Sequence, residues 1–100
     1  MKCSRQGATL SISELEELAA SNSEVMKTRF YDALFPGMDQ IEIDLSKTNF
    51  FDCGGMGALV ALRKHGRRKN SRLSIRLLNP RPPVRQILEL AKMHEQFLME

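Results

Sequence analysis

The chain has 100 residues, of which 42% are hydrophobic and 27% charged, the composition of one globular domain. This length excludes a large multi-substrate enzyme, and no apolar run approaches the roughly 20 residues that span a bilayer. The basic first residues are followed by no apolar stretch, so we expect no secretory signal. We therefore expect a cytoplasmic protein without membrane insertion.

Charge is distributed unevenly along the chain. Residues 1–50 carry five basic and eight acidic side chains, whereas residues 51–100 carry ten and four. The net charge of +3 thus describes a mild dipole rather than a uniformly basic protein. Cys3 and Cys53 are predicted to be free thiols, as is usual in the cytoplasm. Because His65 and His94 are isolated in the sequence, we predict no metal site, and we predict no cofactor.

The first half of the chain predicts two strands and a helix. Residues 8–13 alternate weakly and predict a strand, while residues 1–7 are expected to be flexible or to form a short edge strand. Ser21–Glu24 has the form of a capping box and predicts the start of a helix. This helix is expected to end at Pro36–Gly37. Ile41–Leu45 alternates clearly and predicts the next strand.

The second half predicts a strand between two helices. A helix is expected to open at Asp52–Gly55, with Asp52 as its N-cap, and to run to about Lys69. Leu73–Leu78 predicts a strand, and a final helix follows with proline in its first turn. A strand–helix–strand unit implies parallel strands with a right-handed crossover. We therefore predict a single small α/β domain over residues 1–100, with a mixed or parallel sheet of about four strands flanked by helices.

Phe50–Gly57 is the most informative stretch, because it lies where a strand gives way to a helix. Unpaired amides at a helix start can host an anion, but Asp52 as a cap with glycines as turns is the simpler interpretation. The thiol of Cys53 could be reactive at this position, although a small residue filling a tight space is favoured. Phe50, Phe51 and Met56 are either core or contact residues, and at least one phenylalanine is expected in the core.

A basic cluster lies late in the same predicted helix. Its members are Arg63, Lys64, Arg67, Arg68, Lys69 and Arg72. A solvated helix face is favoured over a nucleic-acid site, because no aromatic residues interleave for stacking. A binding patch for an acidic protein partner is less favoured than a solvated face and more favoured than a nucleic-acid site. No arrangement of residues suggests catalysis, so we predict a protein that is not an enzyme.

Three blocks of the sequence together resemble the STAS domain, named for sulphate transporters and anti-sigma factor antagonists. Ile41–Ser46 resembles the central strand of that family. Phe51–Leu59 resembles its Asp-Ser-Ser-Gly-Leu-Gly helix start, and Leu77–Leu90 resembles the Asn-Pro run that opens its last helix. The resemblance covers the last three-fifths of the chain. It implies a STAS-like fold and a protein-binding module in bacterial signal transduction and transcription regulation.

The resemblance also implies a switch and a partner. In anti-sigma factor antagonists, the first Ser after the Asp is phosphorylated by a partner kinase that is also the anti-sigma factor. Cys53 occupies this phosphoacceptor position, and Gly54 replaces the second Ser, so we do not expect the usual serine switch. Ser46 and Thr48 are alternative phosphosites, and oxidation of Cys53 would also change this surface. The implied partner-binding residues are Lys47, Thr48, Asn49, Phe51, Asp52, Cys53, Gly54, Gly55, Met56, Gly57, Arg63, Asn79 and Pro80.

Three alternative functions remain open at this point. STAS modules also occur as small cytoplasmic subunits of transporters, including lipid-trafficking ones. A nucleic-acid binder would use Arg63–Arg72, and a thiol-based redox regulator would use Cys53. In addition, an exposed edge strand could pair with a second copy and form a homodimer.

Overall fold

The secondary structure follows the predicted alternation and adds several short strands. The computed structural model describes residues 1–100 apart from the side chain of His94. The prediction that His94 belongs to no metal site therefore falls outside the described residues. The strands are β1 Lys2–Gln6, β2 Thr9–Ser13, β3 Glu17–Leu18, β4 Gln40–Asp44, β5 Phe50–Phe51, β6 Ser74–Leu78 and β7 Leu98–Met99. The helices are α1 Ser23–Ala33, α2 Cys53–Lys69 and α3 Pro82–Leu90, and a 3-10 turn covers Met93–Glu95.

The main sheet is mixed, with strand order β1-β2-β4-β6-β7. β1 runs antiparallel to β2, whereas β2, β4, β6 and β7 are parallel to one another. β3 and β5 form a separate parallel pair. The predicted α/β class is confirmed, but the main sheet has five strands rather than about four. The additional strand, β7, is two residues long, too short for a period-two pattern to reveal it.

Residues 1–7 contribute an edge strand rather than a flexible segment. β1 pairs with β2 in the register Lys2↔Ser13 to Gln6↔Thr9, so the hairpin turn has two central residues. Gly7, the first of them, has a φ of +61°. Glycine at this position is what a type II′ turn requires, because other residues rarely adopt a positive φ there.

The core lies on one face of the main sheet. Every second residue of β2, β4 and β6 is buried, and the residues between them are half-buried. The helices add side chains to the same cluster. Among its fully or almost fully buried members are Leu10, Ile12, Phe30, Ile41, Ile43, Leu59, Leu62, Ile75, Leu77 and Leu88. This alternation explains why the sequence showed the strands so clearly.

The predicted capping box before α1 is wrong. The N-cap of α1 is Asn22, whose side chain makes no cap hydrogen bond. Instead, Asn22 Oδ1 accepts from the Ala19 amide and Asn22 Nδ2 donates to the Glu17 carbonyl, both at 2.9 Å. The hydroxyl of Ser21 donates to a carboxylate oxygen of Glu17 at 2.6 Å. These polar side chains therefore hold the turn between β3 and α1 rather than the helix start.

Within the part of the chain that the structure describes, no helix is both long and apolar enough to cross a membrane.

Candidate functional site

The sequence-predicted site lies mainly at one edge of the main sheet. β2, β4 and β6 are parallel, so the loops that follow them come to the same edge. The loop after β4 leads through β5 into α2, and the pairing of β3 with β5 joins it to the loop after β2. Residues distant in sequence are thereby brought beside the start of α2.

The carboxylate of Asp52 fixes the start of α2. Its Oδ1 atom accepts hydrogen bonds from the amides of Gly54 at 2.8 Å and Gly55 at 3.1 Å. This confirms the predicted N-cap. The same oxygen also accepts from the amide of Ala20 at 2.9 Å. Asp52 therefore joins the start of α2 to the segment after β3, a cross-link that the sequence alone did not predict.

The glycines after Cys53 are required by close packing against that segment. A β-carbon on Gly54 would overlap the backbone of Ala20, and one on Gly55 would overlap the carbonyl oxygen of Leu18. The second Ser of the family motif would not fit at position 54 without a shift of this segment. The replacement of that Ser by Gly54 thus has a steric reason.

Cys53 and Phe50 are exposed beside this rigid helix start. Cys53 is a free thiol and the first residue of α2. Phe50 is 68% exposed, whereas Phe51 is 8% exposed and belongs to the core. This confirms the expectation that at least one of the two phenylalanines is in the core. Met56 is half-buried and packs against the core.

The sequence left open whether Phe50 is a core or a contact residue, because its exposure is set by the register of β5. β5 pairs with β3 as Glu17↔Phe50 and Leu18↔Phe51, which turns the two adjacent rings to opposite sides. Two consecutive phenylalanines in a sequence give no signal for which one points outward.

Thr48 is a correction to the predicted site. Its side chain is fully buried, and its hydroxyl donates to the carbonyl of Leu15 at 2.6 Å. A buried and hydrogen-bonded hydroxyl is available neither to a partner nor to a kinase, so both predictions for Thr48 are wrong. Phe51, Gly55 and Pro80 are also buried and can only support the surface. The exposed members of the predicted set are Lys47, Asn49, Asp52, Cys53, Gly57 and Asn79.

Ser46, the other alternative phosphosite, is held by two hydrogen bonds of its backbone. Its amide donates to Asp44 Oδ1 at 2.9 Å, and its carbonyl accepts from Arg81 Nε at 2.8 Å. Phosphorylation of Ser46 stays a prediction.

Asn79 has a φ of +52°, a left-handed conformation that Asn tolerates better than most residues. Its amide donates to the carbonyl of Glu100 at 2.9 Å.

Arg63 does not join the cluster at the start of α2. It lies ten positions after Cys53, a rise of about 15 Å along the helix. Its Nε donates to the carbonyl of Gln96 at 3.0 Å, which ties α2 to the chain just before β7. The structure therefore gives Arg63 a role in holding the fold.

Among the described side chains, no group of three or more His, Cys, Asp and Glu residues is arranged to hold a metal ion.

These features agree with the comparison of the chain with known families. The family model described as "Mlab, STAS domain" matches residues 1–100. The chain belongs to the STAS domain family, as the resemblance of its motifs indicated. No curated protein sequence matches it.

Solved structures show the same fold at low sequence identity. TM1081 of Thermotoga maritima, described as an anti-sigma factor antagonist, has a TM-score of 0.84 and 19% identity over 98% of this chain and 83% of its own. The anti-sigma factor antagonist SpoIIAA from Bacillus, in its unphosphorylated form, has a TM-score of 0.80 and 19% identity over 99% and 86%. The murine anion transporter Slc26a9 matches 94% of this chain with 15% of its own, at a TM-score of 0.77 and 18% identity.

Proposed function

We propose that this chain is a protein-interaction module, not an enzyme, that acts like an anti-sigma factor antagonist in the bacterial cytoplasm. Its partner is a kinase-like anti-sigma regulator, and its binding surface is the exposed start of α2. One observation carries the proposal. Cys53, which the motif resemblance places at the family's phosphoacceptor position, is exposed at a helix start that Asp52 caps and ties to Ala20.

The geometry supports protein binding at this surface. Because Asp52 already fixes the helix start to the segment at Ala20, a partner would spend little free energy on ordering it. Phe50 offers a large apolar side chain beside it, and buried aromatic residues commonly dominate interface energies. A serine kinase cannot use the Cys53 thiol in the ordinary way, so serine phosphorylation at this position does not regulate binding.

The test is affinity capture from a lysate of the source organism, with bound proteins identified by mass spectrometry. The baits are the unchanged chain, Cys53→Glu and Cys3→Glu. Cys3 is the matched control, because it is the other exposed free thiol and lies on β1. We expect a kinase-like protein on the unchanged chain and on Cys3→Glu, and its loss from Cys53→Glu. Equal recovery on all three baits would contradict a binding surface at Cys53.

A second candidate function is a subunit of a transporter. The specific observation is that the fold matches a part of an anion transporter, Slc26a9. The same capture experiment separates the two functions. Recovery of a transporter ATPase in place of a kinase-like protein would favour the transporter and overturn the anti-sigma proposal.

Regulation through the thiol of Cys53 is a separate proposal about the same surface. Oxidation would add bulk and polarity to an exposed side chain at the start of α2. Partial desolvation raises the pKa of the Cys3 thiol, although this residue is exposed, and this lowers its thiolate fraction near neutral pH. An unaltered partner affinity after verified oxidation of Cys53 would contradict the redox proposal.

A further inference from the structure

A cationic surface lies at the other end of α2 from Cys53. Residues 53–88 contain nine basic side chains and no Asp or Glu. Five of these basic side chains are exposed near the end of the helix, and we call them the basic row. They are Lys64, Arg67, Arg68, Lys69 and Arg72.

The basic row is not neutralised by acidic side chains of the chain itself. None of the ion pairs between described side chains includes one of its members. Asp39 lines a shallow depression together with Arg72 but forms no ion pair with it. The helix dipole favours cations in the last turn, which accounts for Arg67 to Lys69. It does not account for Lys64, which is one turn earlier, or for Arg72, which follows the helix.

One arginine of the basic row is held in place by a hydrogen bond. Arg67 Nε donates to the carbonyl of Leu73 at 3.0 Å, which fixes the side chain along the helix. Its two terminal nitrogens remain as donors in a planar fork. This is the geometry in which arginine binds a carboxylate or a phosphate with two parallel hydrogen bonds.

A recess adjoins the basic row at Lys69. Its volume is about 420 Å³, and most of the residues that line it are apolar or glycine. The lining residues are Phe35, Pro36, Gly37, Met38, Gly66, Lys69 and Asn70. An occupant that covers both features must combine negative charges with an apolar group.

We propose that the basic row and the recess form a second docking surface, which binds an acidic amphipathic segment of a protein. Its carboxylates pair with the basic row, and one of its apolar side chains fills the recess. The geometry matches an acidic helix, because side chains one turn apart are about 5–6 Å apart on any helix. Along α2, Lys64 lies about 17 Å and Lys69 about 24 Å from Cys53.

Two other anionic partners fit less well. A nucleic acid supplies phosphates but would leave the apolar recess unfilled. The aromatic side chains described near Lys64, Tyr31 and His65, are half-buried and stack on each other, so they are not free to stack on bases. An anionic membrane favours apolar side chains that insert beside the cations. The large exposed apolar side chains of the described chain lie elsewhere, and they are Met1, Val25, Phe50, Leu90 and Leu98.

The test titrates the full chain with three short peptides and follows its backbone amide signals by NMR. The first peptide carries Glu along one helical stripe and Leu along the stripe next to it. In the second, every Leu is Ser, and in the third, every Glu is Gln. We expect the first peptide to shift signals at the basic row and at Phe35–Met38. We expect roughly tenfold weaker binding of the other two, because each lacks one half of the recognition. Equal binding of all three would overturn the proposal.

Charge-matched variants locate the binding surface. Lys64→Gln combined with Arg68→Gln should weaken the first peptide about fivefold, because two exposed ion pairs are lost. Lys2→Gln combined with Arg29→Gln removes the same charge elsewhere and should leave the affinity unchanged. Pro36→Glu should weaken binding more than Pro36→Gln, because it places a carboxylate at the edge of the recess. An equal loss in both double variants would contradict the assigned surface.

The two remaining anionic partners are tested in the same buffer. The probes are a random-sequence duplex DNA, a single-stranded RNA and vesicles that contain phosphatidylglycerol. We expect each to bind more weakly than the first peptide at physiological salt. Tighter binding of a nucleic acid or of the vesicles would overturn the assignment of this surface to a protein segment.

Discussion

Gly55 and Gly57 lie two positions apart in α2, but close packing constrains only Gly55. A β-carbon on Gly55 would overlap the carbonyl oxygen of Leu18, whereas one on Gly57 meets nothing within 4 Å. We expect Gly55→Ala to lower the free energy of unfolding by about 1–3 kcal/mol, because the backbone must move. Gly57→Ala should raise it by about 0.5–1 kcal/mol, because Ala favours the helix. Urea denaturation of both variants measures this, and a loss of stability at Gly57 would contradict the steric argument.

Phe50 allows a second comparison at the scale of single residues. It is 68% exposed beside Cys53, and Val25, at 59%, is an exposed apolar residue on α1. We expect Phe50→Ala to weaken binding of the captured partner by about 2 kcal/mol, roughly thirtyfold, as for an aromatic hot spot. Val25→Ala should have no effect. Calorimetric titration of the purified partner checks both values, and an unchanged affinity in Phe50→Ala would exclude this residue from the interface.

The longer elements were predictable from the sequence because each has its own periodic signal. β4 and β6 alternate residue by residue, and α2 begins at a capping residue and repeats its apolar positions at helical spacing. β3, β5 and β7 have two residues each, so their existence depends on the strands they pair with. Their registers determine which side chains of the site are exposed.

The candidate site was predictable only where a local rule applies. The capping role of Asp52 follows from its residue type at a helix start. Its bond to Ala20, 32 positions away, depends on tertiary packing. The same is true of Thr48, whose hydroxyl bonds to a carbonyl 33 positions away and is thereby withdrawn from the surface. Spacing along a sequence does not encode such long-range contacts.

Arg63 links two elements, and the link can be tested by hydrogen exchange. Its Nε bond to the carbonyl of Gln96 holds the chain before β7, and the amide of Glu100 donates to Leu77 at 2.9 Å. In Arg63→Met, we expect the amides of β7 and Glu100 to exchange about fivefold faster, because one charge-assisted hydrogen bond is lost. Amides of β4, in the centre of the sheet, serve as the control. Unchanged exchange in β7 would show that the bond does not secure this strand.

At the scale of the whole molecule, the two proposed surfaces lie at opposite ends of α2. Groups this far apart, without shared contacts, usually contribute independently to the free energy. We therefore expect alkylation of Cys53 with a bulky maleimide, in a Cys3→Ser background, to leave the affinity for the Glu–Leu peptide unchanged. NMR titration of the alkylated and unmodified chains measures this. A change beyond about twofold would show that the two ends are coupled.

The hydrogen bond from Ala20 to Asp52 also links partner binding to folding. It joins two segments that come together only when the chain has folded, so a partner that binds there binds the folded chain alone. Mass action then stabilises the fold, by about 2.7 kcal/mol when the free partner is present at 100 times its dissociation constant. A stabilisation of this size changes the steady-state abundance of a protein several-fold in cells. The amount of this chain in a cell would therefore follow the supply of its partner, even with its own synthesis held constant.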